Sequence, residues 1–243
     1  MKPKELLIKL IPEMIFRRLG YYRNYYLDGH AFKSYSQEGE DMIIRSLFND
    51  KIENGFYVDI GAYDPKRFSN TYFFYKNGWR GINIDATRGS MNLFNKFRPR
   101  DINLELLISD QVGEVSFYMF AEFAFNTFDK ELALKRELQG NKILEIKQTR
   151  AVTLKEVLEK YVCQPIKIDF LTIDVEGVEM QVLKSNDWER FKPLVIVCES
   201  LDIKEISDNI RDNVICQYLL SKNYLLIAKT PRSLIFKLKS SNI

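Results

Sequence analysis

Between Phe56 and Leu238 the apolar residues alternate between two arrangements: short continuous runs, and stretches in which they recur every three or four positions. The first reads as strands buried on both faces, the second as amphipathic helices. Strands are expected at Phe56–Asp59, Gly81–Asp85, Ile102–Ile108, Asp169–Asp174 and Leu194–Glu199. Helices are expected near Ser69–Asn77, Ser90–Phe97, Leu154–Tyr161 and Val178–Ser185, and within Ile206–Leu220. Thr153 is the predicted cap of the third of these. Val115–Phe120 reads as the return strand of a hairpin with Ile102–Ile108, turned across Asp110–Gly113, and Glu145–Val152 reads as extended. Ala121–Leu144 has no clear period. Two final strands, Tyr224–Ala228 and Leu234–Leu238, flank a turn at Pro231. Repeated βα units with apolar strands predict an α/β, Rossmann-like fold: a mostly parallel sheet closed at one edge by an antiparallel hairpin.

Ahead of this body the pairs Leu6/Leu7, Leu10/Ile11 and Met14/Ile15 have helical spacing, and Pro12 either kinks that helix or starts a second. Residues 1–33 hold seven Lys/Arg and three Asp/Glu, a net of +4 against +3 for the whole chain, so residues 34–243 carry −1. The chain thus divides into a basic amphipathic helical arm, 1–33, and a single domain, 34–243. The arm suits either an anionic membrane surface or packing on the domain or on a second copy, as a homo-oligomer. Before the run Met42–Phe48, Ser36 and Gln37 are candidate helix caps, with Glu38, Glu40 and Asp41 at the positive end of the helix.

Composition narrows the class without naming a chemistry. At 46% hydrophobic and 28% charged the chain is an ordinary globular one, and its small net charge gives no case for nucleic acid as a partner. Cys163, Cys198 and Cys216 form no CxxC pair, which speaks against a disulfide framework or zinc. No apolar run has the length of a membrane span, and Lys9, Pro12 and Glu13 interrupt the one candidate signal core. The expected location is cytoplasmic, with peripheral contact at the inner face of a membrane if the arm binds lipid.

In sheets of this kind ligands bind beyond the carboxyl ends of the strands. The first strand ends in Asp59-Ile60-Gly61-Ala62. Tyr63 and Lys66 occupy the places of the second and third glycines of a pyrophosphate-cradling loop, which disfavours NAD or FAD. Gly61 is expected to let a ligand approach the backbone closely. Asp85, ending the second strand, is placed to accept hydrogen bonds from both hydroxyls of a ribose. A nucleoside without a pyrophosphate, S-adenosylmethionine, fits that pair. Asp174 and Glu176 follow a third acidic strand end and Glu199 a fourth. These carboxylates suit the orientation or deprotonation of a substrate hydroxyl, and Asp174 with Glu199 also suits a hard divalent ion such as Mg2+ or Mn2+. Glu176 and Glu179 can alternatively stabilise a helix N-terminus. The only histidine, His30, lies outside the βα body. Asp64, Ser69, Asn70 and Asn126 are candidates for the substrate side, the last within a stretch read as a lid, while Ser69 can equally cap a helix. Ser109 and Asp110, beyond the third strand, and Asp174 are candidates for the cofactor side.

Taken together, Tyr-Ser-Gln-Glu-Gly-Glu-Asp at 35–41, Gly-Phe-Tyr-Val-Asp-Ile-Gly-Ala at 55–62, Ser-Asn-Thr at 69–71, Phe-Tyr-Lys-Asn-Gly-Trp-Arg-Gly at 74–81, Arg-Pro-Arg-Asp at 98–101 and Asp-Phe-Leu-Thr-Ile-Asp-Val-Glu-Gly-Val-Glu at 169–179 resemble the FkbM methyltransferases. The likeness runs through about residues 34–201 in the family's order. It implies a seven-stranded class I methyltransferase fold and methyl transfer from S-adenosylmethionine to oxygen, with sugars, nucleotide-sugars and surface polysaccharides, or other small molecules such as natural products, as acceptors. It also implies that Gln37, Asp59, Gly61 and Asp85 hold the cofactor, while Asp174, Glu176 and Glu199 face the acceptor. The chain departs from the family's Glu-Pro-x-Pro at Asp85-Ala86-Thr87-Arg88. A nicotinamide-dependent oxidoreductase and a non-catalytic nucleotide-binding or assembly module are the alternatives from other classes.

Overall fold

A computed structural model of the chain describes residues 12–48, 54–162, 167–200 and 210–239. The chain falls into two units, with the boundary between Lys33 and Ser34. In the first, helix α1 (Glu13–Tyr26) begins directly after Pro12. Proline has no donor to lose at a helix start, so Pro12 starts a helix here instead of kinking one. The earlier part of the expected arm helix lies outside the described residues. Along α1, Tyr21 faces Tyr25 and Tyr22 faces Tyr26, with ring centroids 4.6 and 5.1 Å apart, the contact that i,i+4 spacing allows.

In the second unit, helix α2 (Glu40–Leu47) is followed by strand β1 (Phe56–Ile60), α3 (Tyr72–Lys76), β2 (Arg80–Asp85), α4 (Met91–Phe97) and β3 (Ile102–Glu105). Then come β4 (Leu107–Ile108), β5 (Gly113–Phe120), α5 (Lys130–Leu138), β6 (Ile143–Val152) and α6 (Leu154–Tyr161). The last elements are β7 (Phe170–Ile173), α7 (Glu179–Lys184), β8 (Val195–Glu199), α8 (Val214–Ser221), β9 (Tyr224–Lys229) and β10 (Ser233–Leu238). A seven-stranded sheet runs in the order β3-β2-β1-β7-β8-β10-β9. It is parallel except for β10, which is antiparallel to both neighbours and forms the expected edge hairpin with β9. The strand order reverses between β1 and β7, and that switch point decides where the site lies.

Strand alternation sends two sets of apolar side chains to opposite faces. Val58, Ile60, Leu171, Ile196 and Cys198 join one core with Leu158, Val182 and Leu219 from α6, α7 and α8. Tyr57, Phe170, Val195 and Val197 join the other with Ile44, Phe74 and Trp79. Thr153 caps α6 in a reciprocal capping box with Glu156, as its sequence predicts. Cys198 and Cys216 are buried free thiols, and Cys163 lies outside the described residues.

Three expectations are corrected. Ile102–Ile108 and Val115–Phe120 do not pair. Main-sheet pairing ends where the Leu106 N–H donates to the Asp85 carbonyl at 3.1 Å, and Leu107–Ile108 then pair with Ala151–Val152. β5 instead runs antiparallel along β6, making a second sheet β4-β6-β5. Ala121–Leu144 is not irregular throughout, because Asp129 caps α5 by accepting from the Leu132 N–H at 3.0 Å. Gln37 does not cap α2, and Ser36 does not occupy the N-cap, which is Gly39 with φ +88°. Ser36 Oγ still accepts from the first-turn Asp41 N–H at 3.2 Å, and the Ser34 and Ser36 hydroxyls donate to Asp41 Oδ1 at 2.6 and 2.8 Å.

Candidate active site

The carboxyl ends of β1, β2, β7 and β8 border a cavity of about 320 Å3. Of the residues singled out by sequence, Gln37, Gly61, Asp85, Asn126, Asp174, Glu176 and Glu199 line it; Asp59, Asp64, Ser69, Asn70, Ser109 and Asp110 do not.

Asp59 turns away because Ile60, its neighbour on β1, lines the cavity, and successive strand residues face opposite ways. Its Oδ2 accepts from the Thr71 hydroxyl at 2.7 Å, and burial raises its carboxyl to about 6. Thr71 in turn accepts at 2.9 Å from Arg98, which is fully buried. Arg98 also donates to Asp101 at 2.8 Å and to the Tyr57 hydroxyl at 2.7 Å. Ser69 and Asn70 belong to the same framework, Ser69 through its hydroxyl contact with Thr71 and Asn70 by donating to the Thr172 hydroxyl at 2.9 Å. Asp64 closes its own loop by accepting from the N–H groups of Lys66 and Arg67, both at 2.8 Å. Ser109 accepts from the Gln111 N–H at 3.1 Å.

Gly61 has φ +84°, and a Cβ built there would lie 1.6 Å from the Asp174 carbonyl oxygen. Glycine is therefore required by the close approach of the β1 and β7 ends, a reason its sequence context did not suggest, and Gly61 also lines the cavity. Asp85 ends β2 with Oδ1 accepting from the Thr87 N–H at 2.7 Å, and burial raises its carboxyl above the ordinary value. The departure from the family pattern at 86–88 has its own use. The Thr87 hydroxyl accepts from Asn126 Nδ2 at 3.0 Å, while Asn126 Oδ1 accepts from the Phe120 N–H at 2.8 Å. Asn126 thus ties the β5 end to the β2 end as part of the wall. Apolar side chains beside Asp85, among them Ile84, Leu106, Ile108, Phe117 and Phe128, complete this end of the cavity.

The opposite end is acidic. One carboxylate oxygen each from Asp174, Glu176 and Glu199 lies within 4.8 Å of the other two. Glu176 is held with φ +59° and pairs with Arg136 of α5 at 2.5 Å. Glu179 takes the helix-end role left open for it, since its Oε1 accepts from the Gly177 N–H at 2.9 Å and the Val175 N–H at 3.3 Å. Burial, reinforced by neighbouring carboxylates, raises the carboxyls of Asp174 and Glu199 together. Such a pair takes up its first proton at higher pH than an isolated acid. Around the mouth stand exposed Tyr63, Phe68 and Phe123, with Arg67 over the Phe68 ring at 4.3 Å. Phe68 has φ +54°, a backbone strain a bulky residue rarely carries.

The sequence signature of the methyltransferase FkbM domain matches residues 59–226. The chain belongs to the FkbM family of S-adenosylmethionine-dependent methyltransferases. The match reaches from the Asp59 strand end into β9, further toward the C-terminus than the motif likeness through 34–201. A solved FkbM methyltransferase from Methylobacillus flagellatus is similar over 83% of this chain at 14% identity and a TM-score of 0.50. This chain covers 48% of that protein, about half its length. A precorrin-6y C5,15-methyltransferase structure from Geobacter metallireducens is similar over 83% of this chain and 87% of its own, at 14% identity and a TM-score of 0.42. The likeness to the Methylobacillus protein is one of fold. No curated protein matches the sequence.

The residues of this FkbM-family site fit the family's methyl donor. Asp85 presents a carboxylate to the cavity beside an apolar slot, the combination a ribose and its base require. Sequence reading missed Arg136, Thr87 and the aromatic mouth. Asp129, followed by helix-forming Lys130–Leu138, was the available signal for the helix that carries Arg136.

Proposed function

We propose that the chain transfers the methyl group of S-adenosylmethionine to a hydroxyl of a sugar or nucleotide-sugar. The observation that carries this reading is the division of one cavity into an apolar end with Asp85 and an acidic end with Asp174 and Glu199. Asp85 would accept from the ribose hydroxyls and the apolar slot would hold the adenine. When bound, the donor supplies a sulfonium methyl already activated for displacement. The chain's own task is alignment and exclusion of water. Asp174 and Glu199 would accept the acceptor hydroxyl's hydrogen bond, and a carboxylate oxygen of Asp174 would take the proton it loses.

Support for a sugar comes from the cavity mouth. Tyr63, Phe68 and Phe123 are 37%, 46% and 57% exposed. Aromatic faces at a cavity mouth offer apolar surface for the carbon face of a sugar ring, and the Arg67 guanidinium suits the phosphates of a nucleotide-sugar. The motif resemblance extends the acceptor class to surface polysaccharides and other glycoconjugates. The arm's basic helix is assigned to peripheral contact with an anionic membrane; among the described residues no helix is long and apolar enough to cross one.

Incubation with methyl-labelled S-adenosylmethionine and a panel of sugars and nucleotide-sugars tests the reading. Label is expected in an ether-linked methyl, lost when the accepting hydroxyl is replaced by hydrogen. Transfer only to amines, or to phenolic small molecules and never to a sugar, would overturn the acceptor class.

A further inference from the structure

At the acidic end of the cavity, Glu199 is 6% exposed, and its Oε2 has no hydrogen-bond partner. A buried carboxylate oxygen in that condition needs a proton or a cation beside it. Among the described residues, Glu176 has Arg136 as its counter-charge, while neither Asp174 nor Glu199 has an ion-pair partner. Two neighbouring carboxylates therefore face one spot, and the arginines nearest to it pair elsewhere, Arg136 with Glu176 and Arg232, which also lines the cavity, with Glu38.

The donor set narrows what fills it. The converging atoms are carboxylate oxygens, all within 4.8 Å of one another, with no histidine nitrogen or thiolate in the group. All-oxygen sets select hard divalent ions over zinc or copper. A shared proton could join one pair of oxygens. The third converging oxygen, from Glu176, is what an ion uses and a proton does not.

We propose that Asp174 and Glu199, with Glu176 as third ligand, bind a divalent cation, Mg2+ or Mn2+, at the acidic end of the cavity. Three protein oxygens leave positions on such an ion for water or an acceptor oxygen. The ion's part in acceptor binding rests on the methyl-transfer reading above; its binding does not.

The test uses the full chain, freed of metal with a chelator, and Mn2+ as the probe. Bound Mn2+ is counted by electron paramagnetic resonance, and S-adenosylhomocysteine binding is followed separately by calorimetry. One Mn2+ per chain is expected, with Asp174→Asn and Glu199→Gln each raising its Kd at least tenfold. Glu199→Gln should still bind S-adenosylhomocysteine, which shows that it folds. Absence of bound Mn2+ at millimolar concentration, with S-adenosylhomocysteine still bound, would overturn the ion and leave a shared proton in its place. Equal Mn2+ affinity in wild type and both variants would overturn it too, by placing the ion elsewhere. Mn2+ binding without S-adenosylhomocysteine binding would support the ion and defeat the methyl-transfer reading instead.

Discussion

Two clusters of polar side chains adjoin the same sheet, and they differ in how completely their charged groups are met. Around Arg98, the Asp101 carboxylate, the Tyr57 and Thr71 hydroxyls and the Gly81 N–H all have partners, and Asn83 Oδ1 alone is left over. At the ends of β7 and β8, neither the Asp174 nor the Glu199 carboxylate has an ion-pair partner among the described residues, and Glu199 Oε2 is unpartnered. The first cluster has the character of a scaffold: its charged groups satisfy one another, and only a neutral amide oxygen is left over. The second leaves a carboxylate oxygen unmet. Both clusters are acid-rich, so acidity alone does not separate scaffold from site. Whether the charged groups are met within the cluster does.

Breaking each cluster should give different losses. The largest is expected at Arg98→Met, which strands the buried Asp101 carboxylate. A loss of about 3–5 kcal/mol in unfolding free energy follows from removing one partner of a buried pair. Chemical denaturation measures it, and a loss near zero would mean that the network is not structural. Asp174→Asn should do the reverse, leaving stability nearly unchanged while lowering kcat roughly 100-fold through lost alignment and proton acceptance. Single-turnover methyl transfer reads that loss, and an unchanged rate would remove Asp174 from the chemistry.

A smaller effect tests Asp59, the acid that ties the scaffold to the end of β1. Burial raises its folded pKa to about 6, from 3.8 for the exposed group. A raised acid favours folding while protonated, so that contribution is full below about pH 4 and is lost as pH rises through about 6. Asp59→Asn has no such titration. Its stability should therefore gain on wild type by about 2 kcal/mol between pH 4 and 6, and then hold level. Melting curves across that window check the sign. A flat difference would mean that Arg98 and Thr71 offset the burial.

Much of the fold was legible because its signal is local. Continuous apolar runs ending in Asp85, Asp174 and Glu199 marked the strands and the acids that line the cavity. Asp59 was assigned to the ligand because it ends the same kind of run. One step of strand alternation sends it to the other face, and position in sequence does not reveal which residue of the pair Asp59/Ile60 faces the cavity. The pairing of β5 with β6 was hidden because the β6 partner follows an intervening helix, whereas a hairpin is the nearest solution for two neighbouring strands. The Arg136–Glu176 pair joins residues 40 apart, a contact that neither local stretch announces. Gly61 was recognised as necessary, but its crowding neighbour is the Asp174 carbonyl, which only the β1–β7 register brings close.

The central claim is that the end of the cavity holding Asp85 binds the nucleoside of the methyl donor. Calorimetry with S-adenosylhomocysteine on wild type and Asp85→Ala tests it most directly. The account predicts saturable one-to-one binding by wild type and at least tenfold weaker binding by the variant, since a charged hydrogen bond to the ribose contributes about 1.5–3 kcal/mol. No binding by wild type, or equal affinity in a folded Asp85→Ala, would contradict it.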